Sequence, residues 1–240
     1  MNIDQEKQEA REKVWRRLEK SGATLPPGAH GRIPNFLGAG RASARLADLP
    51  QWHQARVVKC NPDKSQLPVR LQALSDRKLL YMAVPKLAAP RPFYLLDPSN
   101  LGAPPDLIAT GAGAAAHAPT VEVAQMQPIE MVICGSVAVN RYGVRVGKGA
   151  GYSDIEVALL TEAGLITAAT LLVTTVHQLQ VLDAPLPESP HDFRVDLVVT
   201  PDEVIWCGHP RRPLGIYWDA LSDEKIAEIP ALANNARRPR

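Results

Sequence analysis

Between Asn140 and Asp154 the chain reads NRYGVRVGKGAGYSD, where four glycines, Gly143, Gly147, Gly149 and Gly151, surround Arg145 and Lys148. Without side chains in the way, backbone N–H groups can converge on one point, and the two cations add positive charge beside them. A bend of this kind between a strand and a helix is a way to cradle phosphate. Lys7 and Arg11, four residues apart in a helical stretch, offer a second pair of cations on one side of that helix. Asp154 and Asp192 offer the hard oxygen ligands that Mg²⁺ takes when it accompanies a nucleotide phosphate.

Each feature also has a plainer reading. Glycines after a strand often only turn the chain, Lys7 and Arg11 can be solvated charges, and Asp154 can be the N-cap of the helix it opens. Spacing alone leaves both readings open. The loop is not a Walker A motif, which needs GxxxxGK[ST]. Nor is it a GxGxxG fingerprint, because Gly147-Lys148-Gly149-Ala150-Gly151-Tyr152 ends in Tyr152.

The elements that must position these groups follow from periodicity. Met131-Val132-Ile133-Cys134 is expected to be a buried strand leading into the loop, and DIEVALLTEAG from Asp154 an amphipathic helix leaving it. Gln5 to Lys20 predicts a helix with an Ala10, Val14 and Leu18 stripe. A second helix is expected over Ala39–Leu49, ended by Pro50, then a strand over Arg56–Cys60. Asn61-Pro62-Asp63-Lys64 forms a loop that either faces a ligand or turns the chain. Pro68 to Ser75 predicts a helix, with Pro in its first turn, and Lys78–Val84 a strand stopped by Pro85. Pro90, Pro92, Pro98, Pro104 and Pro105 predict an irregular stretch, followed by a low-complexity connector at 110–120 that reads either as a mobile linker or as a small-residue helix.

Further on, Thr170–Val176 reads as a strand covered on both faces, Val195–Thr200 and Val204–Cys207 as two strands around Pro201-Asp202, and Gly215–Trp218 as a last edge strand. Alternating helices and strands predict an α/β fold, a three-layer sandwich with a largely parallel central sheet. One domain is expected over 1–225, with a flexible tail over 226–240 whose three arginines hint at an acidic partner or simply stay solvated. His177, Gln178, Gln180, Glu188, His191, Asp192 and Asp196 cluster near the expected strand ends, where open α/β sheets bind ligands. His117 stands alone and takes no role.

Composition narrows the classes. With 240 residues, 45% of them apolar, the chain can bury a substantial core, and a net charge of +2 is too balanced for a surface that coats nucleic acid. Cys60, Cys134 and Cys207 are far apart, so neither a disulfide framework nor a zinc site is expected. Without an apolar run long enough to span a bilayer and without a signal-peptide pattern, the expectation is a cytoplasmic protein, monomer or weak dimer, with no membrane contact.

Taken in order, these stretches resemble the 5-formyltetrahydrofolate cyclo-ligase family, over roughly Lys7 to Thr200. The resemblance rests on the Lys7-xxx-Arg11 helix, on Gly135-Ser136-Val137-Ala138-Val139-Asn140, and on the run from Gly143 to Asp154, which is similar to the family's G-x-R-L-G-x-G-x-G-Y-Y-D. Gln180, His191-Asp192, Asp196 and Thr200 resemble a later part of the pattern. It implies an ATP- and Mg²⁺-dependent ring closure of 5-formyltetrahydrofolate to 5,10-methenyltetrahydrofolate. It also implies roles: Lys7 and Arg11 on phosphates, Arg145, Gly147, Lys148, Gly149, Ala150 and Gly151 around the nucleotide, and Arg145 and Lys148 serving the transfer itself. Asp154 and Asp192 would hold Mg²⁺, and Tyr152, with Arg11, would meet the reduced folate.

Several positions depart from that pattern. Ala150, Ser153 and Ile155 stand where many relatives have Lys or Gly, a second Tyr, and Arg. The family's pterin-contacting Glu should fall near Ser65 to Pro68 and is absent, which leaves Asp63 or Lys64 as substitutes. VKCNPDK at 58–64, RIPNF at 32–36 and GSVAV at 135–139 resemble a divergent branch, the methenyltetrahydrofolate synthetase domain-containing proteins. Animal members of that branch append an RNA-recognition domain, which is not expected here. The expected function is therefore an ATP-dependent ligase acting on a folate or a similar N-formyl compound. A non-catalytic nucleotide- or folate-binding module and an RNA-associated regulator are the alternatives.

Overall fold

Helix α1 (Ile3–Lys20) is set by its own ends: Asn2 and Gln5 form a reciprocal capping box, acidic Asp4 and Glu6 occupy the first turn, and Arg17 and Lys20 the last. Its buried face is Lys7, Arg11, Val14, Trp15 and Leu18, so the two basic residues point inward rather than into solvent. The computed structural model describes residues 2–208 and 210–236.

The chain continues through α2 (Ala39–Ala47), α3 (Pro50–Gln54), β1 (Val57–Cys60), α4 (Leu67–Ser75), β2 (Leu79–Ala83) and β3 (Phe93–Leu96). Next come α5 (Pro105–Ile108), α6 (Gly111–His117), β4 (Thr120–Val121), β5 (Met131–Cys134), β6 (Ala138–Asn140), β7 (Arg145–Val146) and α7 (Tyr152–Glu162). The last part holds β8 (Leu171–Thr175), β9 (Val181–Leu182), β10 (Leu197–Val199), β11 (Val204–Trp206), α8 (Asp223–Glu228) and α9 (Pro230–Ala236).

An eight-stranded sheet runs in the order β11-β10-β8-β5-β1-β2-β3-β4. Its central run β10-β8-β5-β1-β2 is parallel throughout, and the outer pairs are antiparallel. Side chains alternate between the faces with period two. On β1, Val57 packs toward α7, α8 and α9, whereas Val58 and Cys60 pack toward α2 and α4. Two apolar layers thus sandwich the sheet, and the expected three-layer α/β architecture is the one observed. A third cluster joins Val14, Trp15 and Leu18 of α1 to Ala138, Val146 and Leu182 of the small sheet β7-β6-β9.

Several expectations need correction. Pro50 starts α3 instead of only ending α2, because Pro suits a helix's first turn. The proline-rich region contains β3, whose Phe93 and Leu96 are fully buried. Of the two readings of 110–120, the small-residue helix is correct, since Thr110 caps α6 through the Gly113 N–H. Gly215–Trp218 is not a strand; it follows an irregular path ending in a short 3-10 turn at Trp218–Ala220. The stretch expected to begin a tail at 226 instead ends α8 at Glu228 and, after extended Ile229, forms α9 through Ala236, with Ile229 and Leu232 fully buried in the core. Arg237, Arg238 and Arg240 lie outside the described residues.

Candidate functional site

A cavity of about 420 Å³ opens beyond the carboxyl ends of β1 and β2, where chain leaving an open parallel sheet builds ligand sites. Asn61, Pro62 and Asp63 enter it after β1, and Val84, Pro85 and Lys86 after β2. The loop 61–63 is held from behind by buried Arg70 on α4, which donates to the carbonyl oxygens of Asn61 and Asp63. Lys86 and Leu87 adopt left-handed φ values of 59° and 53°, a strained backbone that costs of order 1–3 kcal/mol per residue.

Helix α1 forms another wall. Lys7 Nζ lies 2.5 Å from Asp192 Oδ2 and donates to Ser189 Oγ at 2.9 Å. Arg11 Nε donates to the Gly147 carbonyl oxygen at 2.8 Å, so the first helix is pinned to the glycine loop. Burial lowers the Arg11 pKa, with Asp4 and Asp192 acting in the opposite direction.

The loop is more ordered than a glycine-rich bend implies. β6 and β7 pair as a hairpin inside it, and Asn140 Oδ1 accepts from the N–H groups of Tyr142 and Val144 to close the turn. Gly143 serves that turn and not a ligand: its φ is +84°, and a Cβ there would lie 2.1 Å from the Val195 carbonyl oxygen. Gly149 and Gly151, with φ of +98° and +73°, are the glycines that bend the chain at the cavity. Gly151 is the N-cap of α7, and no side chain among the described residues caps that end. The helix N-terminus therefore faces the cavity with its N–H groups and positive dipole end, a setting that favours an anion. Asp154 sits within the first turn of α7 and is not its N-cap.

Arg145, on β7, is almost wholly buried, with its guanidinium 4.4 Å over the Phe193 ring. It donates to Asp154 Oδ1 at 3.0 Å, yet its Nε has no partner among the described residues. Burial opposes its charge, and Asp154, the Cys134 sulfur and Asp192 outweigh that and raise its pKa. Burial raises the Asp154 carboxyl pKa in spite of Arg145, and neighbouring Asp192 adds to the rise. Asp154 is thus paired with Arg145, and Asp192 with Lys7 and, at 3.8 Å, His191 Nε2, and no cluster of three metal-ligating side chains occurs among the described residues.

The structure brings Lys7, Arg11, Asp63, Arg145, Tyr152, Asp154 and Asp192 to this one cavity, together with Gly147, Lys148, Gly149, Ala150 and Gly151. Lys64 is exposed and lies outside the lining. The polar cluster read at the strand ends separates: only His191 and Asp192 line the cavity, whereas Glu188 pairs with Arg194 and Arg211, and Asp196 with Arg212. Gln180 spends its amide on the carbonyls of Ser136 and Val137.

Lys59 and Glu156, which sequence reasoning passed over, join Asn61 and Ser153 beside the cavity. Lys59 is paired with Glu156 and donates to Asn61 Oδ1, and Asn61 Nδ2 donates to Ser153 Oγ at 2.9 Å. The Ser153 departure is explained by this chain of contacts, because its hydroxyl meets the Asn61 amide. The signal for it was a lysine in a strand covered on both faces, which must find a charged partner. Tyr152 is gripped by residues from the C-terminal part: Lys225 Nζ lies 3.5 Å over its ring, and its hydroxyl donates to Glu228 Oε2 at 3.3 Å.

The profile of the 5-formyltetrahydrofolate cyclo-ligase family matches residues 3–201. The methenyltetrahydrofolate synthase domain-containing protein of Mus musculus is 38% identical over 239 residues, covering 97% of this chain and 63% of that protein. Its Homo sapiens counterpart is 37% identical over 233 residues, covering 94% and 60%. The chain thus spans about three-fifths of the length of these relatives. Among solved structures, the 5,10-methenyltetrahydrofolate synthetase of Aquifex aeolicus superposes with a TM-score of 0.54 at 22% identity, over 90% of this chain and 99% of that one, a likeness of fold. With its glycine loop, its basic first helix and a profile match over most of its length, this chain belongs to the 5-formyltetrahydrofolate cyclo-ligase family.

Proposed function

We propose that the chain is an ATP-dependent ligase of the cyclo-ligase type, closing 5-formyltetrahydrofolate or a related N-formyl compound to its methenyl form. The observation that carries this reading is the uncapped N-terminus of α7, set behind Gly149 and Gly151 and flanked by Arg11, Arg145 and Lys148 in one cavity. The residues fit a nucleotide phosphate: the buried Arg145 Nε lacks a partner, and Arg11, Lys86 and Lys148 take part in no ion pair among the described residues. Bound ATP supplies a phosphoryl group that turns the formyl oxygen into a leaving group.

The chain's own part is positioning and charge. Arg11 and Lys148 would hold terminal phosphate oxygens, and Arg145 would stabilise the charge that develops during transfer. Asp154 and Asp192 suit Mg²⁺ as a two-carboxylate set completed by phosphate oxygens and water. In the same cavity, Asp63 and Glu156 offer carboxylates for the folate ring, because Ser65 and Gln66, where the family's Glu would fall, are buried and bonded internally. Burial raises the Asp63 pKa against the pull of Lys148, Arg70 and Lys59.

Incubating pure protein with 5-formyltetrahydrofolate and MgATP while following methenyl absorbance tests the reading. Turnover supports it; none above background, with a known cyclo-ligase active in parallel, overturns it. A second reading, a binding module without chemistry, is favoured by the Lys59–Glu156 pair, which ties up a carboxylate at the substrate end. Calorimetry separates the two: nucleotide or folate binding without turnover supports the module.

A further inference from the structure

We propose that residues 216–225, which follow the stretch matched by the family profile, build a compartment for the base of the nucleotide whose phosphates the glycine loop holds. The inference rests on the ATP reading above. A second cavity, of about 330 Å³, lies against the same loop. It shares Gly149, Ala150, Gly151, Asp154 and His191 with the first cavity, so the phosphate loop is a wall common to both.

The two spaces differ in chemistry. The first is lined by paired and free charges. The second is walled mainly by Ile155 and Ala158 of α7 and by Ile216 and Leu221 of the C-terminal segment, with Ser222 and Lys225 beside them. Tyr217, 39% exposed, turns its ring toward His191 with the centroids 6.5 Å apart and the planes at 60°. An apolar space beside an exposed aromatic ring accepts a flat heterocycle by stacking. The carboxylates Asp63 and Glu156 of the first cavity suit the N-formyl substrate instead, which leaves the second compartment for the base.

The segment is fixed to the helix that faces the phosphates. The Ile216 N–H donates to Glu162 Oε2 at 2.9 Å, and Gly215 approaches so closely that a Cβ would lie 2.8 Å from that oxygen. Further along, Lys225 and Glu228 hold Tyr152 at the first turn of α7. The walls are therefore built on the same helix that receives the anion.

The test titrates Mg²⁺-ATP and Mg²⁺-tripolyphosphate into the full chain by calorimetry, for wild type, Tyr217→Ala and Ala220→Trp. The first variant removes the stacking ring; the second fills the compartment from an exposed position and removes nothing. We expect each variant to weaken ATP by about tenfold or more and to leave tripolyphosphate unchanged, with thermal melting confirming the fold. ATP binding equal to wild type in both variants, or equal loss of both ligands, would overturn the compartment while leaving phosphate binding in place. Failure of the wild type to bind either ligand would remove the phosphate reading and this inference together.

Discussion

Lys59 of β1 and Glu156 of α7 form an ion pair between the central sheet and the helix whose N-terminus lines the cavity, with side-chain exposures of 1% and 6%. Desolvating both charges offsets most of their attraction, so the pair adds little net stability. Removing one partner is another matter. Glu156→Gln should cost about 3–5 kcal/mol, because it leaves a buried ammonium uncompensated, whereas Lys59→Met with Glu156→Leu should recover most of that loss. Urea unfolding of Lys59→Met, Glu156→Leu and the variant carrying both measures the coupling. Additive losses would mean that the two groups act independently.

The glycines of the central loop should separate by function. Gly143→Ala forces a Cβ against the Val195 carbonyl oxygen in a left-handed conformation, so it should cost at least about 1–3 kcal/mol and leave the ATP affinity of the folded protein unchanged. Gly149→Ala meets only the Arg11 guanidinium, at 3.3 Å, so the fold should lose about 1 kcal/mol while ATP affinity falls. Paired melts and titrations decide it, and the reverse pattern would transfer the cradle to Gly143.

Asp63 offers a pH test. Burial raises its carboxyl pKa, so the folded state resists ionisation more than the unfolded chain does. Below the unfolded value, about 3.9, both states are protonated and the group is neutral in its effect. As pH rises from there through the raised folded value, the charge increasingly disfavours folding. Asp63→Asn should therefore stabilise the protein at neutral pH, and the gain should shrink toward acid. Urea midpoints from neutral pH down to about pH 4 read it out. If Asp63 serves the substrate, the same variant should lose folate affinity, a trade of function for stability.

Much of this was legible in the residues. Continuous apolar runs such as Met131–Cys134 and Leu171–Thr175 mark strands covered on both faces, and alternation with helices marks the parallel sheet. Lys7 and Arg11 illustrate where pattern fails. Spacing places them on one side of a helix, but only tertiary packing decides that this side faces inward, against Asp192 and Gly147. Gly143 was indistinguishable from Gly149 for the same reason, since the Val195 carbonyl that demands a glycine is far away in sequence. The prolines around β3 concealed a strand, because Phe93–Leu96 contains none itself and pairs with β2 and β4 between them. Glu156 carries no signal of its own in the spacing of α7, because the lysine that demands it lies on β1.

Lys148 and Lys7 should answer substitution in opposite ways. Lys148 is exposed on the loop, outside every ion pair among the described residues, and lies near enough to Asp63 to lower that carboxyl's pKa. Lys148→Ala should leave stability within about 0.5 kcal/mol. It should weaken ATP by about 10- to 100-fold, the worth of one charged hydrogen bond, and weaken folate much less. Lys7 is buried against Asp192, so Lys7→Met should instead cost several kcal/mol of stability by leaving that carboxylate unpaired. Thermal melting combined with separate ATP and folate titrations distinguishes the cases. Equal loss of both ligands in Lys148→Ala, or no loss of either, would mean that the glycine loop does not face the phosphates.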